Sequence, residues 1–366
     1  MKKTALSYFC AAIVFVMSGN GDTYADKKNC DKCHIISMKQ SVPADNDKDN
    51  ITQNTLSEET CWGCHARYTN NNIDPVTGAP QINHTNNTDL AGGNFAYITG
   101  SKPGKTGSRM SRGHNIIYTG VPDFRFHNYP PGDEYGNRAA GLNATTFRCA
   151  GKFGCHGDRT IEDEFASMKD SHHYDSSALD FGSIDIENQA LIHGTTGEQV
   201  GSSYRLLKGV RGGEDTDWHA TSSTTDHNEY YGANSMRDSS RTAPGGNTIS
   251  GLCAECHGDF HGSEIGTPER WIRHPTDISF PDQPGREFEE YVNYNLKVPV
   301  ARTVITQAPS SEVNPAGSTD DIVMCLSCHM AHASPHKNML RFDYRDVVAG
   351  YSSKTACLIC HTSKGE

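Results

Sequence analysis

The sequence has few of the residues from which a buried protein core is built. Only 35% of its 366 residues are hydrophobic and 8% are aromatic, whereas 35 are glycine and 16 are proline. A soluble chain of this length ordinarily buries a large apolar core, in two or three domains. Either much of this chain is disordered, or something other than side chains fills its interior.

The sequence also lacks an excess of positive charge. Its formal net charge is −11 at pH 7 with histidine counted as neutral. Proteins that bind nucleic acid neutralise phosphates with clustered lysine and arginine. The charge balance therefore argues against nucleic acid as a partner.

Long apolar runs are missing as well, apart from residues 5–17. This run follows two lysines and precedes the small-residue site "TYA" that ends at Ala25, which is the pattern of a secretory signal peptide. It is shorter than the about 20 residues that a membrane-spanning helix needs. We predict a signal peptide over 1–25, an exported single unit over 26–366, and no membrane span.

Cysteine, by contrast, is abundant and regularly spaced. One of the 13 cysteines, Cys10, lies inside the apolar run, and the other twelve form six pairs that are each followed directly by histidine. Five pairs read C-x-x-C-H, and the third reads "CAGKFGCH", with five residues between its cysteines. The pairs are Cys30 and Cys33, Cys61 and Cys64, Cys149 and Cys155, Cys253 and Cys256, Cys325 and Cys328, and Cys357 and Cys360.

This spacing is the attachment signal of c-type haem. Cysteines three apart lie on one face of a helical turn, so both can form thioethers with one porphyrin while the histidine ligates iron. In the third pair the extra residues must loop out, and Gly151 and Gly154 supply the backbone freedom. Zinc ribbons, disulfides and redox dithiols also pair cysteines but do not require the histidine. A disulfide between Cys149 and Cys155 remains the alternative for the third pair.

The sequence therefore predicts six haems, and the haems would supply the interior that the side chains do not. We expect a mostly irregular multihaem cytochrome with a stacked haem chain as its core, short helices just after the cysteine pairs, long loops and little β-structure. The segment 298–307 is the one credible strand. The predicted first axial ligands of the irons are His34, His65, His156, His257, His329 and His361.

The second axial ligands are expected among the other twelve histidines, because the methionines show no repeated relation to the motifs. Ligation by two histidines gives a low reduction potential. His261 and His332 are tied to motifs by their spacing, and the further candidates are His84, His114, His172, His173 and His274. Five others have less support, namely His127, His193, His219, His227 and His336.

Electron transfer is the predicted function, because every pair ends in histidine and second ligands are in surplus. A haem without an open axial position has no place for a substrate. An exported multihaem reductase of a small nitrogen or sulfur oxyanion is the alternative, which one five-coordinate haem would reveal. The aspartates of "DNDKDN", residues 45–50, begin like a calcium loop but lack its glycine and final glutamate, so no calcium is expected.

Several segments resemble the OmcS-type hexahaem outer-surface cytochromes of metal-reducing bacteria. They are "SRGHNI", "SSYRLL", "CAECHGDFH" with "WIRHP", "CLSCHMAHAS" with "MLRFDY", and the terminal "CLICHTSKGE". The resemblance implies a continuous chain of bis-histidine haems that takes electrons from cytochromes of the cell envelope and delivers them to minerals or partner cells. It also implies an extracellular location, filament assembly, and His114, His261, His274 and His332 as second ligands.

One departure bears on assembly. Where the relatives carry a histidine that ligates a haem of the adjacent subunit, this chain has Ser37. A filament subunit and a discrete carrier therefore both remain open, as does a periplasmic location. If the chain polymerises, we expect His127 or one of the adjacent pair His172 and His173 to bridge subunits.

Overall fold

The structure is a computed structural model of the chain. It describes residues 60–67, 69–75, 78–123, 130–131, 141–168, 198–215, 223–233, 247–258, 274–280, 287–306, 309–313, 321–348 and 355–364, together with the backbone of 192–194. Residues Thr60–Glu366 form one compact unit. The single unit predicted over 26–366 stays a prediction.

Part of the predicted site lies outside the described residues. The signal peptide and the acidic segment 45–50 belong to this part, and so does Ser37. The cysteines and histidines concerned are Cys30, Cys33, His34, His127, His172, His173, His219 and His261. Their assigned roles stay predictions.

Helical structure in the described ranges is short. The α-helices have four to six residues and are α1 (Cys61–His65), α2 (Ala96–Thr99), α3 (Glu164–Ser167), α4 (Ile249–Ala254) and α5 (Cys357–Cys360). Single 3-10 turns lie at Arg109–Ser111, Ile117–Thr119, Gly151–Phe153, Tyr204–Leu206, Cys325–Ser327, Lys337–Met339, Tyr344–Asp346 and Thr362–Lys364. The predicted fold class, mostly irregular with short helices, is confirmed. Among these residues no helix has the length and apolarity that a bilayer span requires.

Helices were expected just after the cysteine pairs, but α1 and α5 lie on their pairs and α4 runs into the fourth pair. The backbone N–H of His257 donates to the carbonyl of Cys253 over 2.8 Å, and His361 donates likewise to Cys357 over 2.9 Å. This i to i−4 bond closes one helical turn around the motif. The hydroxyl of Thr248 caps α4 by accepting from Gly251 N–H.

In the described ranges, six very short strands form one sheet in the order β1-β2-β3-β5-β6-β4. They are β1 (Ile192–Gly194), β2 (Gly212–Glu214), β3 (Glu229–Tyr231), β4 (Ile278–Ser279), β5 (Ala301–Arg302) and β6 (Asp321–Val323). β3 pairs with β5 in parallel, and the other pairings are antiparallel. The strand predicted within 298–307 is β5, only two residues long. The small sheet agrees with the prediction of little β-structure.

A buried ionic cluster crosses this sheet. The guanidinium of Arg302 on β5 lies 3.0 Å from an Asp321 carboxylate oxygen on β6 and 3.5 Å from one of Glu229 on β3. Both acidic side chains are almost fully buried, at 2% and 1% exposure. Buried carboxylates need such a partner. Arg302 thus offsets one of the two negative charges in the middle of the sheet.

Within the part of the chain that the structure describes, the buried apolar residues gather in three small clusters instead of one core. The first contains Phe95, Ile98, Ile116 and Ala333, with Cys149 and Trp62 packed against it. The second contains Tyr204, Leu207, Val210, Tyr230, Ile249, Ala301, Ile322, Met324 and Leu326. The third contains Phe280, Tyr291, Tyr294, Val298, Val300, Val313, Phe342, Ala356 and Ile359, with Cys328, Cys357 and Cys360 packed against it. Motif cysteines therefore lie at the edges of the first and third clusters, where an attached apolar group would extend the core.

Candidate haem-binding sites

Hydrogen bonds to backbone carbonyls fix two of the motifs that the structure describes. The carbonyl of Cys64 accepts from Nε2 of the buried Gln81 over 3.0 Å. The N–H of Cys256 donates to the carbonyl of Cys253 over 3.1 Å, so the two cysteines of the fourth motif share one turn. None of the ten described motif cysteines forms a disulfide. Haem attachment at these cysteines, and at Cys30 and Cys33 outside the described residues, stays a prediction.

The third cysteine pair reaches the geometry of the standard motifs by looping out its extra residues. The backbone N–H groups of Cys155 and His156 both donate to the carbonyl of Cys149, over 3.1 and 3.0 Å. His156 therefore makes the hydrogen bond to the first cysteine that His257 and His361 make across a single turn. Residues 151–153 form a separate 3-10 turn outside this arrangement.

The two glycines of this loop have distinct physical roles. Gly151 has a φ of +72°, in the left-handed region that other residues rarely adopt. Gly154 has an ordinary extended φ, but a Cβ on it would lie 2.4 Å from the backbone nitrogen of Ala150. No disulfide joins Cys149 and Cys155 in the structure.

Glu164 supports this motif and was missed by the sequence analysis. Its Oε1 atom accepts from the backbone N–H groups of Cys149 and Ala150, over 2.9 and 3.1 Å. Its Oε2 atom accepts from the hydroxyl of Tyr118, and the side chain is buried. No spacing rule points to a glutamate on α3, because the contact depends on how the loop folds back.

Consecutive motifs contact each other through their thiols. Cys61 and Cys149 share a side-chain hydrogen bond, which lowers the pKa of the Cys61 thiol and raises that of Cys149. A hydrogen bond with Cys325 likewise raises the pKa of Cys253. The second motif thus adjoins the third, and the fourth adjoins the fifth.

Other contacts link the third motif to the fourth and the fifth motif to the sixth. Arg159, three residues past the third motif's histidine, makes a bidentate ion pair with Glu255 inside the fourth motif, both bonds being 2.6 Å. Burial, followed by the neighbouring Cys357, raises the pKa of the Cys328 thiol to about 12. The attachment points from the second to the sixth motif therefore follow one another in space in their order along the chain.

The motif histidines have one ring orientation in common. In each of the five that the structure describes, Nδ1 lies within hydrogen-bonding distance of an oxygen that can only accept. The pairs are His65 with Pro80 O at 2.8 Å, His156 with Arg205 O at 3.0 Å, His257 with Pro131 O at 2.6 Å, His329 with Asn338 O at 2.8 Å, and His361 with Glu287 Oε2 at 2.7 Å. Nδ1 must therefore carry the proton, which leaves the lone pair on Nε2 for a metal.

A left-handed turn supplies the acceptor for His156. Arg205 and Leu206 have φ values of 49° and 58°, an uncommon conformation for residues other than glycine. The carbonyl of Arg205 accepts from the His156 ring, and the carbonyl of Leu206 accepts from Gly157 N–H over 2.8 Å. The turn thus holds both the histidine and the residue after it.

The fifth motif repeats this arrangement. Asn338 and Met339 have φ values of 59° and 57°. The carbonyl of Asn338 accepts from the His329 ring, and the carbonyl of Met339 accepts from Met330 N–H over 2.8 Å. Strained backbone of this kind persists where the surroundings hold it in place, frequently at functional sites. A left-handed two-residue turn therefore orients the histidines of both the third and the fifth motif.

Three motif histidines each face a second histidine from outside the motifs. The ring-centre distance is 6.1 Å in all three pairs, His156 with His332, His257 with His114, and His361 with His274. Two imidazoles on opposite sides of one metal ion, with metal–nitrogen bonds of about 2 Å and ring centres about 1 Å further back, would be separated by roughly 6 Å. The separations fit bis-histidine ligation of one iron.

The second members of these pairs have a protonation state suited to ligation. Burial, followed by neighbouring histidines, lowers the pKa of His114 to about 4 and that of His332 to about 3. Burial also lowers the pKa of His274. His114 and His274 donate from Nδ1 to the carbonyls of Ala331 and Pro275, over 2.7 and 3.0 Å. Neutral imidazole with a free Nε2 is the form that binds metal.

Other predicted candidates occupy different surroundings. His84 is fully buried and has its Nε2 3.3 Å from Nδ2 of Asn94. His227 stacks on Tyr294 at a ring-centre distance of 3.7 Å, and both of its ring nitrogens lie near backbone carbonyls, at 2.9 and 3.4 Å. His336 is buried, and its Nδ1 has no hydrogen-bond partner among the described residues. The structure does not pair any of these three with a motif histidine in the described ranges.

Comparisons with known proteins agree with the motifs. A family model described as the doubled CXXCH motif matches residues 316–366, which contain the last two cysteine pairs. These motifs imply c-type haems on the chain. No curated protein matches it. Among solved structures the chain is similar to the outer membrane cytochrome S filament from Geobacter sulfurreducens, with 16% identity, a TM-score of 0.42, and coverage of 92% of this chain and 91% of that chain.

Proposed function

We propose that the protein is a multihaem c-type cytochrome that carries electrons along a chain of six bis-histidine haems. The observation that carries the proposal is the common 6.1 Å separation of three motif histidines from three other histidines. Haem supplies a one-electron iron couple when it is bound. The twelve motif cysteines would attach the haems, and the histidine of each motif would provide the first ligand.

The second ligands in this proposal include His114, His274 and His332. His84, His172, His173 and His261 remain candidates for the other irons. In each of the three pairs both axial sides would be taken by protein, which leaves no position for a substrate. This supports an electron carrier and disfavours the alternative, an oxyanion reductase.

The order of the motifs in space supports passage of electrons along the chain. Contacts join the second motif to the third through Cys61 and Cys149, and the fourth to the fifth through Cys253 and Cys325. Haems attached at adjoining motifs would lie beside one another. An electron could therefore cross the protein in short steps without leaving it.

The predicted signal peptide and the absence of a predicted span support export, so the electrons would pass from donor cytochromes of the cell envelope to external acceptors. We propose an extracellular or cell-surface location. Electron microscopy of the secreted protein tests the assembly. Ordered filaments would identify the protein as a filament subunit. If it stays as single particles at high concentration, with all haems six-coordinate, it is a discrete electron carrier.

Haem number and spin state test the central proposal. Mass spectrometry should find six haems, including one on the peptide that contains Cys149 and Cys155. The ferric protein should be low-spin, because two imidazoles give a strong ligand field. A high-spin ferric signal in the unmodified protein would instead indicate an open haem and favour the reductase.

Single substitutions then test the pairing. His332→Ala and His114→Ala should each convert one haem to a high-spin form. His227→Ala is the matched control, because it removes a buried imidazole whose ring nitrogens face carbonyls and should leave every haem low-spin. Equal spectra for His332→Ala and His227→Ala would remove His332 from the ligand set.

A further inference from the structure

The last motif differs from the other described motifs in the acceptor that its histidine uses. The rings of His65, His156, His257 and His329 donate to backbone carbonyls. The ring of His361 donates to a carboxylate oxygen of Glu287, over 2.7 Å. A neutral acceptor is thus replaced by a charged one at a single site among these five.

The contact is built into the surrounding structure. Phe288, the residue after Glu287, has a φ of +81°, which is strained for an aromatic residue. Its ring packs on that of His361 at a centre distance of 5.2 Å and on that of Phe280 at 5.6 Å. The strained residue thus keeps the carboxylate next to Nδ1. The side chains of His361 and Glu287 are 32% and 25% exposed, so solvent screens the interaction only in part.

The other histidine of this pair, His274, has a neutral hydrogen-bond acceptor. His274, whose ring centre lies 6.1 Å from that of His361, donates from Nδ1 to the backbone carbonyl of Pro275. It therefore resembles the motif histidines that use carbonyl acceptors. The asymmetry of the site comes from Glu287.

A carboxylate that accepts from a ligating histidine increases the basicity of that ligand. The imidazole gains anionic character and donates more electron density to the metal. This stabilises the ferric over the ferrous state and lowers the potential, since hydrogen bonding around the ligands is one of the protein's means of tuning haem. Backbone carbonyls have a weaker effect because they are neutral.

We propose that Glu287 is a positioning residue that sets the potential of the haem on the last motif below the value it would have with a neutral acceptor. The inference rests on the proposed function, since it requires a haem at Cys357 and Cys360 with His361 as a ligand. It assigns to Glu287 a role that no motif indicates.

Glu287→Gln tests the proposal, because the amide keeps an acceptor oxygen and removes the charge. Glu290→Gln is the matched control, since it removes an exposed carboxylate from the same segment. Spectroelectrochemical titration should show one of the reduction steps moving to higher potential in Glu287→Gln only. We expect a roughly tenfold change in the ferric-to-ferrous ratio of that haem at a fixed potential, or about 59 mV for a one-electron couple. Electron paramagnetic resonance should show a changed low-spin ferric signal for the same haem.

The same substitution in a protein that lacks the last haem tests whether the shift in potential belongs to that haem. When Cys357 and Cys360 are both replaced by serine, Glu287→Gln should move no step. Unchanged titrations of Glu287→Gln in the six-haem protein, a shift equal to that of Glu290→Gln, or a shift that persists without the last haem would each overturn the proposal. Loss of the last haem in Glu287→Gln, seen by mass spectrometry, would also overturn it by showing a role in attachment. Haem number and spin state of the unmodified protein decide the proposed function separately.

Discussion

The backbone N–H of His156 donates to the carbonyl of Cys149 over 3.0 Å, although six residues lie between them in the sequence. His257 and Cys253 make the same bond with three residues between them. The longer motif therefore presents its second cysteine and its histidine to the first cysteine as a standard motif does. The insertion changes the path of the chain but preserves the attachment geometry.

Removal of residues 151–153 should leave a functional motif. The remaining residues read Cys149, Ala150, Gly154, Cys155 and His156, which is C-x-x-C-H. We expect this deletion variant to keep its haem, as measured by mass spectrometry of the corresponding peptide. Loss of that haem would show that the loop itself is needed for attachment.

Gly154→Ala should have the opposite effect. The new methyl group would lie 2.4 Å from the nitrogen of Ala150, so the loop could not close and haem attachment at this pair should fall. Gly120→Ala is the comparison, since at a φ of +65° it adds backbone strain but its Cβ would meet no atom within 4 Å, and haem content should stay normal. Normal haem content in Gly154→Ala would contradict the loop geometry.

Glu164→Ala should destabilise the protein by roughly 2–4 kcal/mol, because it leaves the buried N–H groups of Cys149 and Ala150 without their acceptor. Glu162→Ala, two residues earlier and exposed, should change the free energy of unfolding little. Chemical denaturation of both variants measures the difference. Similar unfolding curves would show that Glu164 is dispensable.

Arg302→Met should be among the more damaging substitutions, at roughly 3–5 kcal/mol, because it removes the guanidinium that lies against two buried carboxylates. The comparison is Arg345→Met, which breaks the exposed pair with Asp343. Thermal unfolding should separate the first variant from the second. Equal midpoints would show that the cluster around Arg302 does not stabilise the sheet.

The pair of Asp158 and Lys208 should contribute stability that depends on pH. Hydrogen bonds from Lys208 and Thr160 lower the pKa of Asp158 to about 2. The folded-state pKa lies below the unfolded value of about 3.9, so the contribution is complete above the unfolded value and is lost as the pH falls through about 2. Because the pair lies at the surface, the contribution should be under about 1 kcal/mol. Asp158→Asn should lower stability at pH 7 and have a much smaller effect near pH 2, and an equal effect at both values would contradict the linkage.

The sequence alone was sufficient for the motifs, the irregular fold class and the looping-out of the third pair. Cysteine and histidine spacing is local, and the glycines of the loop are visible in the sequence. His114 and His274 could be predicted as ligands because each stands alone in a stretch between motifs, and His332 because it closely follows a motif. The structure brings all three next to motif histidines.

Other features of the structure could not be predicted from the sequence. The acceptors for the motif histidines are mostly backbone carbonyls, which every residue has, so Arg205 and Asn338 could not be singled out. Glu164 and Glu287 act through contacts between distant segments. Strands of two or three residues are too short to show alternation, which is why the sheet was largely missed. The helical turns lie on the motifs because the first cysteine's carbonyl accepts from the histidine's N–H.

The contact between the Cys61 and Cys149 thiols has a consequence for biogenesis. In an oxidising compartment, thiols that touch are readily converted to a disulfide, and a disulfide sulfur cannot form a thioether. A chain that folded fully before receiving its haems would therefore cross-link its second and third motifs and become refractory to maturation. We therefore expect the cysteines to be kept reduced and to receive their haems while the polypeptide is still open.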